Sequence, residues 1–258
     1  MTIFNPNKFI LFTINILICS HVFANESPKF DLDRFHFEEK ILPQKIIKVR
    51  NPYGDIRVRP APKDTLMIHA VYQKIGENPY IPDMQIERTE SGINFNFIYP
   101  KDNVPERLTD GRIDVVVIIP EHVKLDLEIE RGNLQTKKLK NPIKVYSDSS
   151  NIKLNTTENF DLYTRAGSID LQLPALINSN GTLKTSIGNI DVFFQLEKNI
   201  AFDVKTSASI SSNDLELMKS RIINKRNQLL KLGTPHHKLK IESDTGHVRL
   251  INNNHIYH

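Results

Sequence analysis

The sequence predicts an all-β protein, a right-handed, single-stranded parallel β-solenoid (β-helix) with an antiparallel-strand capping region at its N-terminal end. Three observations lead there. A short formula, a polar corner followed by alternating aliphatics, returns at a spacing near twenty residues. Most copies are preceded, at a nearly fixed offset, by a second alternating stretch. Past residue 24 the chain has no cysteine, so no disulfide supports it and a continuous apolar core must.

Taken in order, the first element is a leader. Lys8 is followed by "FILFTINILI", and "HVFA" places Val22 and Ala24 at the small-residue positions of a signal-peptidase site. Residues 1–24 are therefore expected to be a cleaved Sec-type signal peptide, too short in its apolar run for a membrane span. Lipidation at Cys19 is disfavoured because Ile18 precedes it, where a small residue is required. Residues 25–258 are expected to form one exported domain, periplasmic or extracellular. Without cysteine that domain has no thiolate nucleophile and no cysteine metal site. Its charge is nearly balanced, with 34 Lys and Arg against 30 Asp and Glu in the whole chain and only Lys8 in the leader. That balance argues against nucleic acid as a partner.

From about residue 30 to 120 the stretches "LMIHAVYQ", "INFNFIY" and "RIDVVVIIP" alternate without a glycine corner. They read as longer, partly antiparallel strands capping the first end of the column. Regular rungs are expected from about 121 to 216. Along the whole chain the corners begin "GDIRV" at Gly54, "GNLQT" at Gly132, "SNIKL" at Ser150, "GSIDL" at Gly167, "GNIDV" at Gly188, "ASISS" at Ala208 and "GHVRL" at Gly246. Seven and five residues upstream stand Leu125 and Leu127, Ile143 and Val145, Phe160 and Leu162, and Leu239 and Ile241. Period-two alternation sends Ile169 with Leu171, and Ile190 with Val192, to one face. One rung cannot bury that face alone, so rungs must stack. Gly54, Gly132, Gly167, Gly188 and Gly246 are the structural corners. There the backbone needs positive φ or has no room for a Cβ.

Residues 217–238 form a basic insertion before the last rung at 239–252. Asn213 with Glu216 reads as a helix cap, Gly233 as a helix end, and Leu215, Met218, Ile222, Leu229 and Leu232 lie on one helical stripe. A helical turn or two is expected, with an extended β-arm as the competing reading.

The motifs "NPYGDIRV", "TRAGSIDLQL", "TSIGNIDV" and "SDTGHVRL" resemble those of the exported bacterial β-strand-repeat family named putative adhesins, a domain of unknown function. The resemblance spans about Ile46 to Ile251 and implies the solenoid fold. Its motif is structural, so it brings no catalytic residue.

The repeat alignment also places outward residues in rows. Asp126, Lys144 and Asp161 alternate in charge, which favours their register. Tyr146 and Tyr163 fall side by side and form a candidate ligand surface, because sugar rings lie flat on aromatic faces. Asp170 and Asp191 fall together as well. They read either as a carboxylate pair relieved by Lys153 or as part of a calcium or uronic-sugar site. From Met218 to Lys240 there are seven Lys or Arg, among them Lys219, Arg221, Lys225, Arg226 and Lys231, and no acid. Such a segment suits an anionic lipid or polysaccharide, or else lies solvated along the column. The histidines form no site by spacing, and the G-x-S-x-G, G-x-G-x-x-G, P-loop and H-E-x-x-H signatures are absent.

These readings point to a non-enzymatic binding or structural module with no cofactor. It would present a rigid side surface to an envelope or surface ligand, whether polysaccharide, anionic lipid or protein, and self-associate through an open sheet edge. Two alternatives belong to other classes: a polysaccharide-active β-helix enzyme, and an envelope-stress or anionic-lipid-sensing protein using residues 218–240.

Overall fold

Strict alternation of buried and exposed residues runs through most of the chain, and strands are what it builds. The computed structural model describes residues 30–75, 82–99, 111–174, 180–195, 200–224, 227–232 and 236–255. The expected leader lies outside them. The first strands are β1 (Phe30–Lys40), β2 (Ile46–Tyr53), β3 (Ile56–Pro60), β4 (Thr65–Ile75), β5 (Asp83–Thr89), β6 (Gly92–Ile98) and β7 (Arg112–Ile119). Two long strands, β8 (Lys124–Thr136) and β9 (Ile143–Asn155), each run through a corner. Two-strand rungs follow: β10 (Phe160–Ala166) with β11 (Ile169–Leu173), β12 (Gly181–Ile187) with β13 (Ile190–Phe194), and β14 (Ile200–Thr206) with β15 (Ile210–Ser212). A single helical turn, α1 (Leu215–Lys219), leads to β16 (Ile222–Asn224) and β17 (Asn227–Leu232), and the chain returns as β18 (His237–Ser243) and β19 (Val248–Asn252).

These strands stack in two files that meet at the corners. One runs β5, β6, β2, first half of β8, first half of β9, β10, β12, β18, β14, β17, β16. The other runs β1, β4, β7, β3, second half of β8, second half of β9, β11, β13, β19, β15. Ile152, Ile169, Ile190, Val248 and Ile210 are consecutive neighbours across five strands and are all buried, as the repeat predicts. Both files contribute to one apolar cluster. Burial of each such aliphatic is worth about 1.5–3 kcal/mol before the entropy of ordering is counted.

At the corners, polar groups satisfy the backbone where the two files turn. The hydroxyl three residues before the corner points inward and donates to the neighbouring rung's corner carbonyl. Thr185 Oγ1 reaches Gly167 O at 3.0 Å, and Ser243 Oγ reaches Gly188 O at 2.9 Å. The residue after the corner works on the outside. Asp55 Oδ1 accepts the Asn133 N–H, Asn151 Oδ1 that of Ser168, and Asn189 Oδ1 that of His247, each at 2.9–3.0 Å. Backbone groups removed from water must be paired, and the inner ladder pairs the part-buried corner carbonyls while the outer one pairs exposed N–H groups.

Four features differ from the sequence expectation. The sheet is mixed, with antiparallel pairs at the C-terminal end (β14–β17, β16–β17) as well as at the N-terminal end where they are expected. Two of the strands expected in the partly antiparallel cap, β6 and β7, are antiparallel to β5 and β4 as expected but pair in parallel with β2 and β3 on their other edge and so extend the stack. The basic insertion combines the expected helical turn with the competing β-arm, the antiparallel strands β16 and β17, and Asp214 rather than Asn213 caps the turn, accepting the Leu217 N–H at 3.0 Å. Ile222 and Ile223, both β-branched, continue as strand where a helix would restrict their rotamers. Finally, the rung latest in the sequence is not last in the stack. β18 and β19 lie between two earlier rungs.

Candidate functional site

Strands β9 and β10 pair so that Tyr146 and Tyr163 are direct neighbours. Their rings stack with centroids 5.2 Å apart and planes 25° from parallel, and Tyr146 is 53% exposed. The row continues on both sides with charge already compensated within the protein. On one side Arg50 reaches Glu128 at 3.1 Å and Glu130 at 3.2 Å. On the other Lys184 lies 3.5 Å from Glu242, which also meets Lys240 at 3.1 Å. Burial pushes the Glu242 carboxyl up, but the surrounding lysines outweigh it and hold it below its ordinary value. Above the tyrosines, Asp148 and Arg165 form a two-pronged ion pair, whose hydrogen bonds lower the Asp148 pKa. Below them the Asp126, Lys144 and Asp161 row is in register, as expected. It rims a cleft of about 330 Å³ floored by Leu125, Ile143 and Phe160. The arrangement is an aromatic platform flanked by internally paired charges, beside a shallow apolar cleft rimmed by Asp126, Lys144 and Asp161.

Asp170 and Asp191 are neighbours on β11 and β13, with Lys153 beside Asp170. Arg249, from the inserted rung, lies beside Asp191 and grips both carboxylate oxygens, with Nε at 2.6 Å from Oδ1. Asp191 is only 8% exposed. Desolvation, and then the Asp191 charge, push the Asp170 carboxyl above its ordinary value, while Lys153 and Arg249 pull the other way. Both oxygens of one carboxylate are thus occupied by a guanidinium. Among the described residues no group of three or more His, Cys, Asp or Glu is placed to hold a metal. The offset that aligns Asp191 also aligns Arg249. Sequence order set Ser211 beside Asp191, and the inserted rung set Arg249 there instead.

The described residues of the basic segment are divided between the inserted rung and the C-terminal cap. Lys238 and Lys240 lie on β18 and are engaged by Asp203 at 3.0 Å and Glu242 at 3.1 Å. Lys219 ends α1, Arg221 follows it and Lys231 lies on β17, beside the exposed apolar side chains of Leu215, Ile222 and Ile223. Lys225 and Arg226 lie outside the described residues. Two histidines that spacing did not connect, His36 and His69, stack across β1 and β4 with centroids 4.6 Å apart.

No family profile matches the chain. No curated protein matches it either. Among solved structures it is similar to a protein from Clostridium sporogenes described as a "putative cell adhesion protein", at 12% identity and a TM-score of 0.44, over 88% of this chain and 100% of that one. It is also similar to a "putative adhesin" of Bacteroides fragilis, at 12% identity and a TM-score of 0.36, covering 84% and 97% of the two chains. A third is a "putative lipid binding protein" of Parabacteroides distasonis, at 10% identity and a TM-score of 0.35, covering 84% and 96%.

Proposed function

We propose that the protein is an exported, non-enzymatic binding module. Residues 25–258 would form one β-solenoid, released from a cleaved leader at 1–24 and wound right-handed, as parallel crossovers favour. Its ligand is an envelope or surface polysaccharide, held on the outer face at Tyr146 and Tyr163. The observation that carries this reading is the stacked, half-exposed tyrosine pair beside a cleft. The apolar face of a pyranose ring matches such a platform, and the rigid sheet beneath sets its spacing without an ordering cost. Because the flanking charges are matched inside the protein, the reading favours neutral over strongly anionic glycans.

A glycan array probed with the purified protein tests this. Binding to one glycan class is expected, weakened at least about tenfold in Tyr146→Ala and again in Tyr163→Ala, the usual scale for an aromatic anchor. Undiminished binding in the double variant would refute the assignment.

A second reading rests on the C-terminal cap, where Leu215, Ile222 and Ile223 are exposed beside Lys219, Arg221 and Lys231. That mixture suits an anionic membrane surface. Salt-sensitive sedimentation with phosphatidylglycerol vesicles, lost in Ile222→Glu, would support it. The enzyme alternative is disfavoured, since Arg249 occupies the Asp191 oxygens that catalysis would use.

A further inference from the structure

Rungs in this protein do not stack in the order in which the chain supplies them. β18 pairs in parallel with β12 on one side and β14 on the other, and β19 does the same between β13 and β15. Among the described residues no strand pairing joins β12 to β14 or β13 to β15, so the strands of residues 200–212 meet the column through a rung supplied later. The three rungs are in matched register. Leu183, Ile241 and Val204 share one inner place, Thr185, Ser243 and Thr206 the next, and Ile190, Val248 and Ile210 a third. The two flanking rungs therefore form a slot whose walls accept any segment of the same formula.

What holds the inserted rung is contact with the slot walls. Leu239, Ile241, Val248 and Leu250 are fully buried between them. Arg249 is gripped by Asp191, and Thr206 Oγ1 donates to Gly246 O at 2.7 Å. At the far end Asn252 donates from Nδ2 to Asp214 at 2.8 Å and from its backbone to Asn213 Oδ1 at 2.7 Å. A Cβ at position 246 would lie 1.7 Å from the Gly188 carbonyl oxygen, so the slot admits glycine at that corner. Main-chain ladders and keyed side-chain pockets are how strand addition recognises a segment, and none of these contacts depends on the segment belonging to the same chain.

We propose that the slot between rung 181–194 and rung 200–212 is an acceptor for a strand–corner–strand segment, and that residues 237–252 of a second copy can fill it, interlocking two copies by rung exchange. A second copy is the partner because the keys are specific. A guanidinium must meet Asp191, an amide must meet Asp214, and glycine must face the Gly188 carbonyl. Exchange of identical elements conserves all of them. The inference rests on strand order and on the contacts of the inserted rung, and is independent of the glycan reading.

Cross-linking between differently marked chains tests it. In a Cys19→Ser background the protein is free of cysteine. Thr182 and Lys240 are register partners on neighbouring strands of the outer face. Chains carrying Thr182→Cys are mixed with chains carrying Lys240→Cys, held below the unfolding transition, and treated with a short bis-maleimide. A product of twice the chain mass containing one of each is expected, increasing with protein concentration. It should be absent when Asp126→Cys, three rungs further along the row, replaces Thr182→Cys. The proposal is overturned if the mixture gives no more product than that control while a chain carrying both Thr182→Cys and Lys240→Cys joins internally. If the double variant does not join internally either, the rung does not lie beside β12 and the proposal falls with its premise.

Discussion

At the scale of single residues, the corners and outer rows set the constraints. Gly167 turns with φ +140°, and a Cβ there would lie 2.0 Å from the Ser150 carbonyl oxygen. Gly167→Ala therefore combines backbone strain with a backbone clash and should cost about 2–4 kcal/mol, read as a lower urea midpoint at unchanged slope. Ser150 is a corner without positive φ, which is why a residue with a side chain is accepted there. Asp170 supplies a pH-dependent test. Its folded pKa is raised above the ordinary 3.8 by desolvation and by Asp191. Across that window the native state binds the proton more tightly, so stability falls as pH rises and the penalty persists at neutrality. Asp170→Asn should be more stable than the parent at pH 7 by a few tenths of a kcal/mol, given solvent screening. That advantage should vanish below about pH 3.8. These rows were legible in the sequence, because offsets from a glycine fix which residues share a face. The polar residue after three of the corners was also visible, in "GDI", "SNI" and "GNI". Its role in accepting the next rung's N–H needed the turn geometry.

At the scale of elements, the C-terminal cap and the inserted rung are tied at one point. Asp214 caps α1 and receives Asn252 from the end of β19, and it is 4% exposed. Asp214→Ala removes the cap and leaves a buried amide short of an acceptor, for about 2–3 kcal/mol in sum. Hydrogen exchange should quicken across residues 200–232 and 237–252 while β8 and β9 keep their protection. Equal acceleration throughout would show that the cap is not a separate unit. The sequence signalled some helix here, but a five-residue turn is too short for a stripe to settle against the β-branched Ile222 and Ile223. Strand type was readable where alternation was long. Direction was not: β6 and β7 pair antiparallel with β5 and β4 on one edge, as a cap would, but parallel with β2 and β3 on the other.

At the scale of the whole molecule, the order of stacking is what the sequence could not convey. Every rung offers the same classes at the same offsets, so register is fixed while the identity of the neighbouring rung is not. Arg249 beside Asp191 is the consequence. The same degeneracy underlies the proposed rung exchange and the outer row in which Tyr146 and Tyr163 stack. Both ends of the stack limit uncontrolled pairing in different ways. Edge strand β1 is dense in charge, with Asp33, Arg34, Glu38, Glu39 and Lys40, and edge strands β15 and β16 have three residues each. The central claim is therefore a single buried file in which the last-supplied rung is intercalated. Methyl–methyl nuclear Overhauser contacts in an Ile- and Val-labelled sample test it most directly. The account predicts an unbroken chain of contacts from Ile152 to Ile169, Ile190, Val248 and Ile210. Direct contact between Ile190 and Ile210, with Val248 outside the file, would contradict it.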